Sequence, residues 1–306
     1  MQRRSAGLLF AMPWIVGITV FSLYPFLSSF YYSFTNFSVL QPPVWVGLDN
    51  FSAIAKDAVF WQVLRNTLAL SVLCILGSIV ISLGLALTMN AVTRGQTLYS
   101  VIFYLPHLIP TVVSAIVWMW IFNAQCGLLN GLINPALELG NSVRKSFNPA
   151  LSPDALWSGP DWRSAWPLSC LFMLSMWGVG QTAFIYLAKL KDVPEELYEA
   201  AEIDGASMWQ KIRHVTLPMI SPIILFNTIM GIIGIMQMFT EPFLIFPDGG
   251  TDRSAYFLPQ YIYDTAFNYM RMGYASALSW ILFVMILLLT ALAFRISRDR
   301  VYYAGA

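Results

Sequence analysis

The sequence has 306 residues, of which 58% are hydrophobic and only 11% are charged. A soluble domain carries about 25% charged residues, so this composition excludes a chain that is surrounded by water on all sides. The charged residues also leave six uncharged runs of 23 to 44 residues. Because about 20 apolar residues cross the hydrocarbon core of a bilayer, each run is long enough to span a membrane. The sequence therefore predicts a polytopic membrane protein.

The functional groups that are missing narrow the possible chemistry. Proteins that bind phosphate backbones need clustered Lys and Arg, and this chain has a net charge of only +1. Nucleic acid is therefore not expected as a partner. The sequence contains no phosphate-binding loop, no zinc-protease motif and no serine-hydrolase elbow. No catalytic residue, metal site or cofactor is therefore predicted in this chain, and it is not expected to be an enzyme.

Six transmembrane helices are predicted in an all-α fold, because backbone in lipid must satisfy its own hydrogen bonds. They cover residues 8–34, 66–91, 98–123, 165–188, 218–241 and 275–295. The first run follows Arg3 and Arg4 but lacks a clear cleavage site, so we interpret it as a retained span rather than a signal peptide. Pro25, Pro106 and Pro110 lie in or beside these spans and can kink helices.

The distribution of Lys and Arg indicates the orientation. With the N-terminus inside, ten basic residues, among them Arg94 and Arg300, fall on cytoplasmic segments and seven fall on longer outer segments. This bias predicts that both termini are cytoplasmic. We treat residues 1–306 as one transmembrane domain. Residues 125–164 are polar and have no clear period, and we expect them to form an extracytoplasmic surface loop.

The cytoplasmic segment 194–217 carries the most informative pattern. Pro194 suits a first helical turn, and Glu195 and Glu196 complement the positive end of the helix dipole. Gly205 can adopt the left-handed conformation that ends a helix. A second short helix is expected to follow, and Pro218 is expected to break it before the fifth span. This segment is therefore predicted to be a helix–turn–helix at the membrane surface.

Two interpretations of this segment remain open from the residues alone. It can be an amphipathic linker that rests on lipid headgroups, or it can dock on a protein. A helix that binds only lipid favours Lys and Arg on its polar face, whereas the first helix here is acidic. Its acidic residues are Glu195, Glu196, Glu199, Glu202 and Asp204. The acidic surface favours a protein partner.

The same segment resembles a known family. Glu199-Ala200-Ala201, Asp204-Gly205 and Leu217-Pro218 are similar to the EAA loop of binding-protein-dependent ABC importer permeases. Val215 stands where that loop commonly has Ile. The resemblance to the carbohydrate branch of the family extends over most of the chain, through Tyr24-Pro25, Phe34-Thr35, Trp45–Phe51, Arg65-Asn66-Thr67, Tyr104-Leu105-Pro106 and Gly127–Asn130.

The resemblance implies a type I ABC importer permease in the bacterial inner membrane. Such a subunit forms half of a translocation pathway for a sugar or oligosaccharide. Its implied partners are a second permease, an extracytoplasmic solute-binding protein and two ATPase subunits that bind ATP and Mg²⁺. Whether the two permeases are identical stays open. The alternatives are a stand-alone ion-coupled carrier or channel, which would transport alone, and a structural scaffold.

The resemblance also implies where the substrate passes. In the maltose-transporter permease, sugar contacts come from the spans before and after the EAA loop. The matching positions in the fourth span are Trp177, Gly178 and Gln181, and those in the fifth are Gly231, Gly234, Gln237 and Met238. Glutamines can bond to hydroxyls and a tryptophan can face a sugar ring. Alternatively, the glutamines bond to neighbouring helices and the tryptophan packs against lipid.

Overall fold

The computed structural model describes residues 2–91, 95–148 and 158–298. Arg94 and Arg300, used above to orient the chain, lie outside the described residues. The described helices and strands are α1 (Gln2–Ile18), α2 (Tyr24–Ser33), β1 (Thr35–Ser38), β2 (Gln41–Trp45), α3 (Asp49–Lys56), α4 (Ala58–Ala91), α5 (Gln96–Tyr104), α6 (Thr111–Ile121), α7 (Leu128–Phe147), α8 (Trp162–Ala165), α9 (Pro167–Trp177), α10 (Gly180–Lys191), α11 (Glu195–Ile203), α12 (Met208–Lys211), α13 (Leu217–Met236), α14 (Thr240–Ile245), α15 (Leu258–Tyr263) and α16 (Met272–Ser297).

The predicted number of spans agrees with the helices when each bent pair is counted as one span. Four helical stretches are long and apolar enough to cross a membrane, namely Phe10–Ser33, Ala58–Ala91, Met208–Ile245 and Met272–Ser297. Two bent pairs, Gln96–Leu108 with Thr111–Ile121 and Pro167–Trp177 with Gly180–Lys191, pass the same test together. The described residues thus hold four to six candidate spans.

Two predicted spans are not the continuous helices that we expected. The third bends by 97° and the fourth by 46°. At the larger bend, Ile109 and Pro110 are extended, with ψ values of 128° and 139°. The residue before a proline is disfavoured in helical conformation, which explains why the helix ends there. At the smaller bend, α9 ends at Trp177 and Gly178 forms its C-cap.

Pro218 does not break the chain before the fifth span, so that expectation was wrong. A π-helical turn, Ile212–Thr216, connects α12 directly to α13, and the backbone N–H of Leu217 bonds to the carbonyl of Ile212. Proline lacks an N–H and crowds the preceding turn, and the wider turn accommodates both defects. Pro25 has the same arrangement, because the π-helical turn Thr19–Leu23 precedes it.

The segment 125–164 is more ordered than its lack of a clear period suggested. Residues 128–147 form the 20-residue helix α7. The helix is strongly amphipathic. The Asn, Ser and Gly residues between its apolar positions made this helical period hard to recognise in the sequence. Residues 149–157 of this segment lie outside the described residues. The prediction that the segment is extracytoplasmic stays a prediction.

The chain divides into two compact units, and the first contains residues 2–63 and 258–285. The side chains of α2 and α16 form an aromatic cluster in this unit, in which Trp280 lies 4.7 Å from Phe26 and 4.6 Å from Phe30 between ring centroids. The all-α prediction missed the antiparallel hairpin of β1 and β2. Asn50 fastens the hairpin by donating to the carbonyl oxygens of Ser33 and Thr35, both at 2.9 Å.

Asp57, between α3 and α4, is the centre of a polar network in the first unit. Its carboxylate accepts hydrogen bonds from the hydroxyls of Tyr261 and Tyr274 and from the backbone N–H of Val59. Burial acts to raise the pKa of Asp57, but these hydrogen bonds outweigh it and hold the pKa below its ordinary value. Burial and the hydrogen bond to Asp57 raise the pKa of Tyr261.

The second unit contains residues 64–257 and continues after 285. One of its apolar clusters joins α4, α6 and α9 to the segment around Phe246 and Phe257. The other joins the ends of α4, α10 and α13 that lie nearest the segment 194–217, through residues such as Met89, Tyr186 and Ile220. Gly180 permits close packing in this unit, since a Cβ there would overlap the carbonyl oxygen of Phe103. These contacts position the helices that carry the candidate sites.

Candidate functional site

The short acidic helix α11 has a defined beginning and end. Pro194 occupies its N-cap, and Glu195 and Glu196 fill its first turn. Its C-terminal end is closed by a hydrogen bond of 2.9 Å from the N–H of Ala206 to the carbonyl of Ala201. This closure requires Gly205 to be left-handed, with φ +76°, a conformation that glycine adopts without steric cost. The predicted helix end at Gly205 is therefore confirmed.

The next segment connects α11 to a membrane helix without a flexible joint. Ser207 and Gln210 form a capping box at the start of α12, in which the Ser207 N–H donates to Gln210 Oε1 at 2.7 Å. From Met208 the chain stays helical through the π-helical turn to Met236. Because a helix is stiff along its axis, a displacement of α12 is transmitted to α13.

Two side-chain contacts fix α11 against this continuous helix. The hydroxyl groups of Tyr198 and Thr216 are 3.0 Å apart, and Lys211 pairs with Glu202. Tyr198 also packs against the apolar cluster that joins α4, α10 and α13. Sequence reasoning missed the Tyr198–Thr216 contact, because the two residues are 18 positions apart and neither has a distinctive pattern.

The motif residues of this segment fall into two environments. Glu199, Ala200, Asp204 and Gly205 are exposed, and Ala201 is half-buried. Leu217 and Pro218 lie half-buried in the first turn of α13. The structure therefore places the first group on the surface and the second where the segment enters the membrane helix.

An apolar tip projects from the turn between α11 and α12. Ile203 is 88% exposed, Trp209 is 80% exposed and Met208 is 64% exposed. Large apolar side chains this exposed mark an interaction surface. The expectation of a protein partner rested on the acidic residues, although the Ile and Trp in this charged segment were a usable signal. The surface thus combines an apolar tip with an acidic helix.

Five of the seven predicted substrate residues lie at helix breaks, whereas Gly231 and Gly234 lie inside α13. Trp177 is the last residue of α9, Gly178 is its C-cap, and Gln181 lies in the first turn of α10. Gln237 is the C-cap of α13, and Met238 follows it. Sequence analysis chose these positions without detecting the breaks. Backbone that departs from a helix inside a membrane is tolerated where it is buried in protein or lines a cavity.

The aromatic and amide side chains of this group have different surroundings. Trp177 stands 5.9 Å from Trp118 between ring centroids, and Met238 packs against the cluster that includes Trp118. Gln181 and Gln237 are both exposed. Within residues 2–91, 95–148 and 158–298, neither glutamine side chain forms a hydrogen bond to a neighbouring helix.

The two glycines chosen beside the glutamines differ in their surroundings. A Cβ on Gly234 would meet no atom within 4 Å, whereas a Cβ on Gly231 would lie 3.5 Å from Ile75 Cγ1. Gly234 therefore faces open space and Gly231 faces α4. Across the part of the chain that the structure describes, no cluster of His, Cys, Asp and Glu could hold a metal ion.

The sequence matches a known family of membrane transport proteins. Residues 78–300 match the family described as the binding-protein-dependent transport system inner membrane component. The chain belongs to this family. Its members are transport components of ABC importers rather than enzymes, and they work with a binding protein. The predicted identification from the EAA loop is confirmed.

Relatives and solved structures cover almost the whole permease. It is 33% identical to the probable ABC transporter permease protein YesP of Bacillus subtilis, over 97% of this chain and 92% of that protein. It is 29% identical to the arabinooligosaccharides transport system permease protein AraP of the same organism, over 97% of this chain and 90% of that protein. A chain of a bacterial ABC transporter that imports the acidic polysaccharide alginate has the same fold, with a TM-score of 0.79, 25% identity and coverage of 97% and 96%.

Proposed function

We propose that this permease forms half of the translocation pathway of an ATP-driven importer for a sugar or oligosaccharide. The substrate is delivered by an extracytoplasmic binding protein, and the chain lies in the bacterial inner membrane with both termini in the cytoplasm. A second permease completes the pathway, and two ATPase subunits bind ATP and Mg²⁺. The names of AraP and of the alginate transporter support a carbohydrate substrate.

The observation that carries the proposal is the rigid connection between the exposed turn and a membrane helix. The exposed surface of α11, Ile203 and Trp209 docks on an ATPase subunit. The Tyr198–Thr216 contact and the unbroken helix from Met208 to Met236 transmit the displacement to α13. The far end of α13 is the break at Gln237. Closure of the ATPase subunits therefore moves the segment proposed to contact substrate.

The substrate pathway is proposed to lie at the two helix breaks. The exposed amides of Gln181 and Gln237 bind sugar hydroxyls, and Trp177 faces a sugar ring. Gly178 and Gly234 leave room beside them, Gly231 permits the approach of α4, and Met238 supports Gln237 from the apolar cluster. Neither amide has a hydrogen-bond partner among the described residues, which agrees with groups that bind a ligand.

The decisive experiment measures transport in proteoliposomes. The permease is reconstituted with its partner permease, the ATPase subunits and the binding protein, whose ligand is first chosen by calorimetry against a panel of glycans. We expect Gln181→Ala and Gln237→Ala to reduce uptake while the complex still assembles, since interhelical polar bonds in membranes contribute only about 0.6–2 kcal/mol. Gln125→Ala, which truncates an exposed amide outside the spans, serves as the matched control.

Two outcomes would reject parts of the proposal. If both glutamine variants transport like the control, the substrate passes elsewhere or is held only by the partner permease. If the purified chain alone moves solute, it is a stand-alone carrier or channel. The mass of the detergent-solubilised complex distinguishes a pair of identical permeases from a pair of different ones.

A further inference from the structure

Helix α7 exposes a continuous apolar stripe. Its members are Leu128, Leu132, Leu139, Val143 and Phe147, which are all exposed, with Leu132 at 70% and Phe147 at 88%. At about 100° of rotation per residue, these five positions fall within an arc of about 100°. The stripe runs along the full length of the helix, about 30 Å at 1.5 Å per residue.

The remaining surface of α7 divides into two further faces. Leu129, Ile133 and Leu137 are half-buried, and Leu129 packs against the apolar cluster of α4, α6 and α9. The opposite arc carries polar residues, among them Glu138 and Lys145. One part of the apolar surface of α7 therefore packs against other helices, and the other part is the exposed stripe. A helix that lies along the flank of a membrane protein, on the bilayer surface, has this division.

The N-terminal turn of α7 is hydrogen-bonded to a segment that contains two tryptophans. Asn130 is 1% exposed; it accepts a hydrogen bond of 2.7 Å from Trp162 Nε1 and donates to the carbonyls of Ala124 and Pro160 at 2.8 and 3.0 Å. Trp162 and Trp166 rings lie 5.4 Å apart just before α9. Tryptophans concentrate where the membrane meets water, so this cluster sets the height of the start of α7.

The exposed stripe suits lipid better than a protein. Its residues are aliphatic along most of its length, whereas protein interfaces concentrate Trp, Tyr and Arg at their centres. Arg144 and Lys145 occupy the last turn, and Glu138 is the one acidic residue among 128–147. Basic residues at the end of an apolar stripe complement lipid phosphates. Val112 and Ile116 of α6 are also exposed, and α6 contacts α7.

We propose that α7 is an interfacial helix whose stripe inserts into the boundary between headgroups and acyl chains. Because one span, the bent pair α9 and α10, separates α7 from α11, the helix lies on the membrane surface opposite the coupling segment. It anchors the adjoining ends of α6 and α9 in the bilayer while α11 is displaced at the other surface. The anchored residues are Leu128, Leu132, Leu139, Val143 and Phe147.

Spin labels on the assembled importer in lipid nanodiscs test the proposal. Cys126 is exposed, whereas Cys74 and Cys170 are buried, so Cys126→Ser provides a background with low labelling. Leu139→Cys places a label on the stripe, and Glu138→Cys places one on the polar face at the same height. Power saturation then measures collisions with oxygen, which enters the bilayer, and with a water-soluble nickel chelate.

We expect the ratio of oxygen to nickel collisions to be severalfold larger at position 139 than at position 138. Low collision rates with both reagents at 139 would show that a protein covers the stripe, and a nickel collision rate equal to that at 138 would place the helix in water. Either result overturns the proposal. Val143→Cys and Lys145→Cys repeat the comparison one turn later if the first pair does not assemble. The readout needs no transport, so it is independent of the proposed function.

Discussion

Replacing Gly205 by valine isolates the backbone geometry of the coupling turn. A Cβ at this position would meet no atom within 4 Å, and φ is +76°, so the substitution acts on the backbone and not on packing. The left-handed conformation costs about 1–2 kcal/mol for a residue with a Cβ and more for a β-branched one. This free energy lowers the population of the native turn about 5- to 30-fold, and we expect a comparable loss of transport-coupled ATP hydrolysis.

The assay is ATP hydrolysis by the assembled complex in nanodiscs, stimulated by the loaded binding protein. Gly205→Asn should retain most activity, because asparagine tolerates the left-handed conformation. Gly84→Val is the matched control, since a Cβ at Gly84 also meets no atom within 4 Å and its φ is not positive. Membrane insertion should be equal in all three. Wild-type stimulation in both Gly205→Val and Glu199→Lys would refute the docking role of this turn.

Two further predictions concern the packing and electrostatics of the two units. Gly180→Ala should reduce the yield of folded chain in detergent, because the added Cβ would overlap the Phe103 carbonyl, whereas Gly84→Ala meets nothing within 4 Å; equal yields and equal melting temperatures would contradict the close packing of α10 on α5. Asp57 should stabilise the chain fully above its unfolded pKa of about 3.9 and lose this contribution as the pH falls through its lower folded pKa. The difference in melting temperature between wild type and Asp57→Asn should therefore shrink in acid below about pH 4, and a difference that stays constant there would contradict the network around Asp57.

The membrane character and the helix–turn–helix of residues 194–217 could be predicted because their signals are local. The uncharged runs set the number of candidate spans, since a bilayer requires about 20 apolar residues per crossing. The end of α11 at Gly205 follows from a single residue with unusual conformational freedom, and the motif around it identifies the family. The prediction that Pro218 ends a helix failed, because the π-helical turn before it is a response to the proline that residue preferences do not encode.

The candidate substrate residues show where local signals stop. Gln181 and Gln237 could be chosen by their distance in sequence from the motif. The helix breaks at which they lie depend on the backbone conformation around Gly178 and Phe239, which the sequence analysis did not predict. Asn66 gives another example: it resembles a family position, yet its role in bonding the carbonyls of Arg253 and Tyr256 at 2.8 and 3.2 Å requires contact across about 190 residues.

The sequence alone determined that the chain crosses a membrane and carries a helix–turn–helix at residues 194–217, because hydrophobic length and short motifs act within one helix or turn. Only the tertiary structure decided where the spans bend, that Tyr198 reaches Thr216, and that the polar segment after α6 forms a helix with an exposed apolar stripe. These features depend on which distant side chains share an apolar cluster. That choice is made by packing free energy summed over the whole chain, and no local window of sequence contains it.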